Sequence, residues 1–314
     1  MFVDVILTDT LPLNITTMTS SPQPDTARLM RWATYASVST AVILIVIKVA
    51  AWFITDSVSI LATLLDSSLD VLASLVNLFA VRHALQPADK EHRFGHGKAE
   101  ALAGMGQAMF IAGSAGFLLL QATGRLLHPQ QLTAGLEVGI GVMIFSIIAT
   151  LILLTFQKYV IKHTNSTAIK ADALHYRTDL LVNASVIVAL LLTFYGWDYF
   201  DPLFGIGIAV FILYSAWEIV KESIDLLMDH ELPDDEREKI RQLVLNHPDT
   251  HGLHDLRTRR SGTRIFIQLH LELDSTLSLA AAHVIADDVE KELEKSFADA
   301  EVIIHEDPVV LAAV

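Results

Sequence analysis

Asp66 and Asp70 stand one helical turn apart inside the apolar run SILATLLDSSLDVLASLVNLFAV. If that run crosses a bilayer, each unpaired charge at mid-depth costs about 2.5–3.5 kcal/mol by insertion scales. The i, i+4 spacing puts both carboxylates on one helix face, where like charges repel unless a cation lies between them or a proton sits on one. ADALHYRTDLLVNASVIVAL repeats the arrangement with His175 and Asp179, again i, i+4. Packed antiparallel, the two runs bring both pairs to similar depth. Three carboxylates and one imidazole form a four-donor set suited to tetrahedral Zn²⁺, with Cd²⁺, Fe²⁺ and Co²⁺ as competitors. Asp172, one turn before His175 on the same face, reads as an interfacial residue or as a partner that supports the ligands from behind.

Two further groups carry ligand-type side chains. QPADKEHRFGHGKAE holds Asp89, His92 and His96 within eight positions, where solvated loop residues and a metal site are both open readings. Towards the C-terminus, His254, His270, His283 and His305, with Asp307, each fall on or beside an expected strand or helix. In TRIFIQLHLELD, alternation puts Phe266, Gln268, His270 and Glu272 on a polar face and Ile265, Ile267, Leu269 and Leu271 on the core face, so His270 is not a core histidine. The chain has no Cys, so a metal must be held by imidazole and carboxylate.

The elements that position these residues follow from composition. Of 314 residues 52% are hydrophobic and 18% charged, and the mean hydropathy is +0.46, which indicates a membrane class. Six apolar runs of spanning length occur at about 31–55, 57–85, 99–124, 133–159, 172–196 and 202–227. The expected organisation is a disordered N-terminal segment at 1–27, a six-helix transmembrane domain at 28–227 and an α+β domain at 228–314. That last domain reads helix, strand, strand, helix, strand, with the SG turn between its first two strands. Lys and Arg concentrate before the first run, between the second and third, and between the fourth and fifth, which places both termini in the cytoplasm. Lys48, inside the first run, is expected to snorkel to an interface.

Several classes are excluded. Beyond residue 226 nine basic residues stand against nineteen acidic ones, the opposite of a nucleic-acid footprint. FGHGKAE lacks the first glycine and the hydroxyl residue of a P-loop, so nucleotide hydrolysis has no support, and no HExxH occurs on any run. The chain is not read as an enzyme.

DSSLD, PADKEHRFGHGKAE, ADALHYRTD, GLHDLRTRRSG, IQLHLELD and VIIHEDP together resemble the cation diffusion facilitator family, in its bacterial YiiP-type branch of zinc and ferrous-iron efflux transporters, over about residues 28–309. The resemblance implies a homodimer in the bacterial inner membrane, with six spans per protomer and a cytoplasmic metallochaperone-like domain. Carried over by position, it implies a transport site at Asp66, Asp70, His175 and Asp179 and a loop site at Asp89, His92 and His96. It also implies a two-metal cytoplasmic site from His254, His270, His283, His305 and Asp307 at the dimer interface, and a charge pair of Lys98 with Asp229. Glu306 departs from the pattern by adding a negative charge beside the cytoplasmic site.

The expected activity is export of zinc from the cytoplasm in exchange for protons. Ligands must be deprotonated to bind metal, so cation and protons compete for the same atoms, and an unperturbed imidazole titrates near about pH 6.5. The rival readings are iron, cobalt or cadmium as main substrate, or a non-transporting membrane metal sensor, for which the mid-membrane acids have no use.

Overall fold

The structure, a computed structural model, describes residues 24–55, 58–127, 136–194 and 200–309. Six long helices come first: α1 (Pro24–Thr55), α2 (Val58–Ala84), α3 (Lys98–Leu127), α4 (Leu136–Thr164), α5 (Thr167–Phe194) and α6 (Phe200–Leu227). Residues 24–27, expected in a disordered segment, open α1 instead, because Pro24 is pre-set for a first helical turn and Asp25 faces the helix dipole favourably. The expected segment otherwise lies outside the described residues. Among the described residues four helical stretches are long and apolar enough to cross a membrane: Asp25–Ile54, Lys98–Gly124, Ile140–Thr164 and Pro202–Leu227. α2 and α5 are the two that carry the acid and histidine pairs.

Small residues let these helices approach closely, as association in an apolar medium requires. Ala108 and Ala115 of α3, Ala171 of α5 and Ala216 of α6 pack with Ile111, Leu174 and Ile212 in one cluster. A second cluster joins Met30 and Ala33 of α1 to Val81 of α2, Val160 of α4 and Ala168 of α5. Val46, Phe53, Phe117, Leu120 and Ile152 point outward, as lipid-facing residues would.

The C-terminal domain is α7 (Asp234–Leu245), β1 (Gly252–Ser261), β2 (Arg264–Asp274), α8 (Leu279–Ser296) and β3 (Ala300–Val309). The sheet order is β1-β2-β3, with β1 and β2 antiparallel and β2 and β3 parallel through the α8 crossover. Ser278 caps α8 by accepting from the Ala281 N–H. Ile265, Ile267, Leu269 and Leu271 are buried against Ala286, Val289 and Leu293 of α8 and against Ile240 and Val244 of α7, the face that alternation predicts. Phe266, expected on the polar face, is buried too, because Arg259 lies over its ring at 4.7 Å and the Phe94 ring meets it edge-on at 5.8 Å.

The helical bundle meets this domain at the β1–β2 turn. A Cβ on Gly97 would lie 2.3 Å from the Ser261 carbonyl oxygen, so only glycine admits this approach. Lys98 Nζ pairs with Asp229 at 2.9 Å, and Asp229 also accepts from Arg259 at 3.3 Å.

Candidate metal centres

Antiparallel packing of α2 and α5 brings Asp70, His175 and Asp179 together, with ligand atoms all within 4.8 Å of one another. His175 Nε2 lies 3.1 Å from Asp70 Oδ1 and 3.9 Å from Asp179 Oδ2. It is buried yet has no partner in hydrogen-bond geometry, which suits a nitrogen aimed at an ion. Asp66 lies on α2 one turn before Asp70, and its side chain falls outside those the structure describes.

The residues around this trio hold five helices, α1 to α5, in register. Asp172 is fully buried, not interfacial. It accepts from Gln157 Nε2 of α4 at 2.7 Å, from Gln107 Nε2 of α3 at 3.2 Å and from the Ser37 hydroxyl of α1. Tyr176 donates to the Ser37 carbonyl at 3.0 Å and shares a hydrogen bond with Ser74 of α2 at 3.0 Å. Lys48 does not snorkel to an interface either. Its ammonium donates to the buried Ser67 hydroxyl of α2 at 2.6 Å, one residue from Asp66. At the start of α5 the buried Glu100 carboxylate accepts from the Ala168 N–H at 3.4 Å, a capping contact supplied by α3.

The loop between α2 and α3 folds on itself through Asp89. Its Oδ1 accepts from the N–H groups of Glu91 at 2.9 Å and His92 at 2.6 Å, and its Oδ2 lies 3.3 Å from His96 Nε2. Gly95, at φ +79°, makes the left-handed turn that returns His96 to His92. The His92 N–H is the main reason that the Asp89 carboxyl is held below the usual carboxylate range, so it stays an anion ready to ligate. Asp89, His92 and His96 have ligand atoms within 4.8 Å of one another.

Strand register builds the third group. His254 pairs with His270 across β1 and β2, and His270 pairs with His305 across β2 and β3, so three imidazoles form a row on one face. His270 Nδ1 donates to Asp307 Oδ2 at 2.8 Å, His254 Nε2 lies 3.2 Å from the same oxygen, and His305 Nε2 lies 3.3 Å from Asp307 Oδ1. The His270 hydrogen bond is the main cause that holds the Asp307 carboxyl below its ordinary range. His254, His270 and Asp307 form the compact trio.

Of the five residues expected at the two-metal cytoplasmic site, His283 does not join the others within one chain. His283 stands apart on the exposed side of α8, 3.7 Å from Asp287 and 3.8 Å from Glu306. The reason is that α8 buries Ala286, Val289 and Leu293 against the apolar face of the sheet, opposite the histidine row. Alternation along β3 likewise turns Glu306 away from His305 and Asp307. Glu272, absent from the expected set, joins the row by accepting from His254 Nδ1 at 2.9 Å. Cross-strand pairing places it there, and no sequence spacing announces it.

The donor chemistry of all three trios, imidazole nitrogen with carboxylate oxygen, fits a borderline divalent ion. The cation efflux transmembrane domain matches residues 34–228, and the cation efflux protein cytoplasmic domain matches residues 232–309. The cation-efflux pump FieF of Pectobacterium atrosepticum is 52% identical over 286 residues, covering 91% of this chain and 95% of its own. The cation-efflux pump FieF of Yersinia pestis is 50% identical over 285 residues, with coverage of 91% and 95%. Among solved structures, the metal-bound C-terminal domain of the CzcD transporter from Thermotoga maritima is 32% identical, covering 24% of this chain and 94% of its own, with a TM-score of 0.23. The chain belongs to the cation diffusion facilitator family, as a multi-pass membrane protein of metal cation efflux whose C-terminal part is the family's cytoplasmic dimerisation domain.

Proposed function

We propose that this protein exports divalent transition metal, chiefly zinc, from the cytoplasm of a bacterium in exchange for protons. It works as a homodimer in the inner membrane, with six spans per protomer and both termini cytoplasmic. The observation that carries the reading is the meeting of Asp70, His175 and Asp179 between the two helices whose sequences hold ionisable pairs at mid-run. Asp66 would complete a four-donor set. One nitrogen among oxygens favours Zn²⁺ over harder ions while leaving Cd²⁺, Fe²⁺ and Co²⁺ as substrates of lower rank.

Coupling follows from shared atoms. On the cytoplasmic side the ion displaces protons from the imidazole and carboxylates; on the outer side, where protons are more abundant, they reclaim these atoms and the ion leaves. Asp89, His92 and His96 form the loop site. His254, His270, His305 and Asp307, with His283 of the same domain, would hold metal that fixes how the two protomers stand. The Lys98–Asp229 pair would join that arrangement to the bundle.

Flux of Zn²⁺, Cd²⁺, Fe²⁺ and Mn²⁺ into proteoliposomes under an imposed pH gradient tests this. The expected result is zinc movement that rises with the gradient and collapses with a protonophore; equal flux with and without the gradient would sink the exchange reading. In the same assay, His254→Ala with His270→Ala should slow flux several-fold without stopping it. Those residues lie outside the membrane path and act only by biasing the dimer. Wild-type rates, together with a zinc-dependent inter-domain distance that still closes, would remove the regulatory role from these histidines.

A further inference from the structure

The loop trio supplies three protein ligands, and its carboxylate has little more to give. Asp89 Oδ1 is occupied by two backbone N–H groups, so Oδ2 is the oxygen left for an ion. With one nitrogen each from His92 and His96, the shell stands one donor short of the tetrahedron that Zn²⁺ adopts in closed sites.

A further imidazole beside the trio is His83. It lies in the last turn of α2, exposed, with its ring centroid 4.7 Å from that of His96. The His92 ring is 4.6 Å from His96. His96 thus sits against two imidazoles at nearly equal range, and its own Nδ1 is buried with no hydrogen-bond partner. The His83 nitrogens fall outside the 4.8 Å group formed by Asp89, His92 and His96. Ligation therefore requires the exposed ring to turn about its two side-chain torsions. Helix polarity assists, since a dication held at the last turn of α2 faces the negative end of that helix.

We propose that His83 is the fourth protein ligand of the loop site, closing it as a three-histidine, one-carboxylate shell around a divalent transition metal. The proposal rests on the loop-site reading of Asp89, His92 and His96. It changes what that site does. A three-ligand site keeps an exchangeable position and suits an ion in transit, whereas a four-ligand site retains its ion. Retained metal would tie the loop to the end of α2, the helix that carries Asp70 roughly 20 Å further along at 1.5 Å per residue. The loop metal then acts as a clasp on a ligand-bearing helix and sets its cytoplasmic end.

The test uses full-length protein with the other centres disabled by Asp70→Ala, His254→Ala, His270→Ala, His283→Ala and His305→Ala. Titration with Co²⁺, followed by visible absorption, reads both affinity and coordination number; Zn²⁺ competition gives the second affinity. The parent should bind one Co²⁺ per chain with an intense tetrahedral band. Adding His83→Ala should weaken affinity by at least roughly 10–100-fold, the range that even outer-shell partners command, and should flatten the band as water raises the coordination number. His83→Asp should restore most of the affinity by returning a donor. Because His83 is exposed, circular dichroism and elution volume should match the parent in every variant. His92→Ala serves as the control. If His92→Ala abolishes binding while His83→Ala leaves affinity and band intact, the fourth-ligand proposal is wrong and the loop site survives. If neither variant changes binding, the loop-site reading falls and the proposal falls with it.

Discussion

Asp70→Ala is expected to abolish metal efflux in proteoliposomes while the protein still elutes as the folded dimer. Asp70 Oδ1 is the group nearest to His175 Nε2, at 3.1 Å, and it belongs to the only trio of ligand atoms found between α2 and α5 among the described residues. Its loss leaves His175 and Asp179, with Asp66 expected beside them, too few donors for a tetrahedral ion. The effect should exceed the roughly 100-fold that removal of a second-sphere partner brings. Stability should be spared, because Asp70 is only half-buried and a charge one turn from Asp66 is a source of repulsion rather than cohesion. Gradient-driven zinc flux that persists in this variant would refute the transport-site assignment outright.

The meeting of Asp70 with His175 and Asp179 was legible because two physical rules coincide in them. Apolar runs of spanning length fix the helices, and i, i+4 spacing fixes the shared face. The C-terminal domain was equally plain, since alternation in TRIFIQLHLELD separates Ile267 and Leu269 from His270 without knowledge of any neighbour. What sequence could not supply is the partner across an interface. Asp172 reads as interfacial because it stands near a helix end, and its acceptor role appears only when Ser37, Gln107 and Gln157 converge from three other helices. Lys48 looks like a residue that escapes to water until Ser67 is seen beside it. Glu272 enters the histidine row by register alone, and His283 leaves it because α8 covers the other face of the sheet. In each case the local pattern names the face, and packing decides what that face meets.

Asp172→Ala should have the opposite signature to Asp70→Ala, with the fold giving way before the chemistry is tested. The carboxylate is fully buried and is the common acceptor for side chains of α1, α3 and α4, so its removal takes the acceptor from Gln107 Nε2, while Gln157 Nε2 falls back on the Ser37 hydroxyl at 2.9 Å and that hydroxyl on the Ala33 carbonyl at 3.1 Å. Gln157 has no slack to offer, because its Oε1 is already buried without a partner. Breaking a buried ionic or hydrogen-bonded network by deleting one member typically costs about 3–5 kcal/mol. Relief from burying a charge and the capacity of membrane helices to find other partners both pull towards the lower figure. At about 3 kcal/mol the expected fall in midpoint temperature is roughly 6–12 °C for a domain of this size. Asp172→Asn should fall between wild type and alanine, since it keeps one acceptor oxygen but turns a new N–H₂ towards a donor. Thermal unfolding in detergent, followed by tryptophan fluorescence alongside metal flux at a temperature where each variant is folded, separates the possibilities. Flux per folded molecule should drop for Asp172→Ala as well, because α5 loses the contacts that set His175 one turn away. A midpoint unchanged from wild type would mean that the four helices are held by apolar packing alone and that Asp172 is not the joint between them.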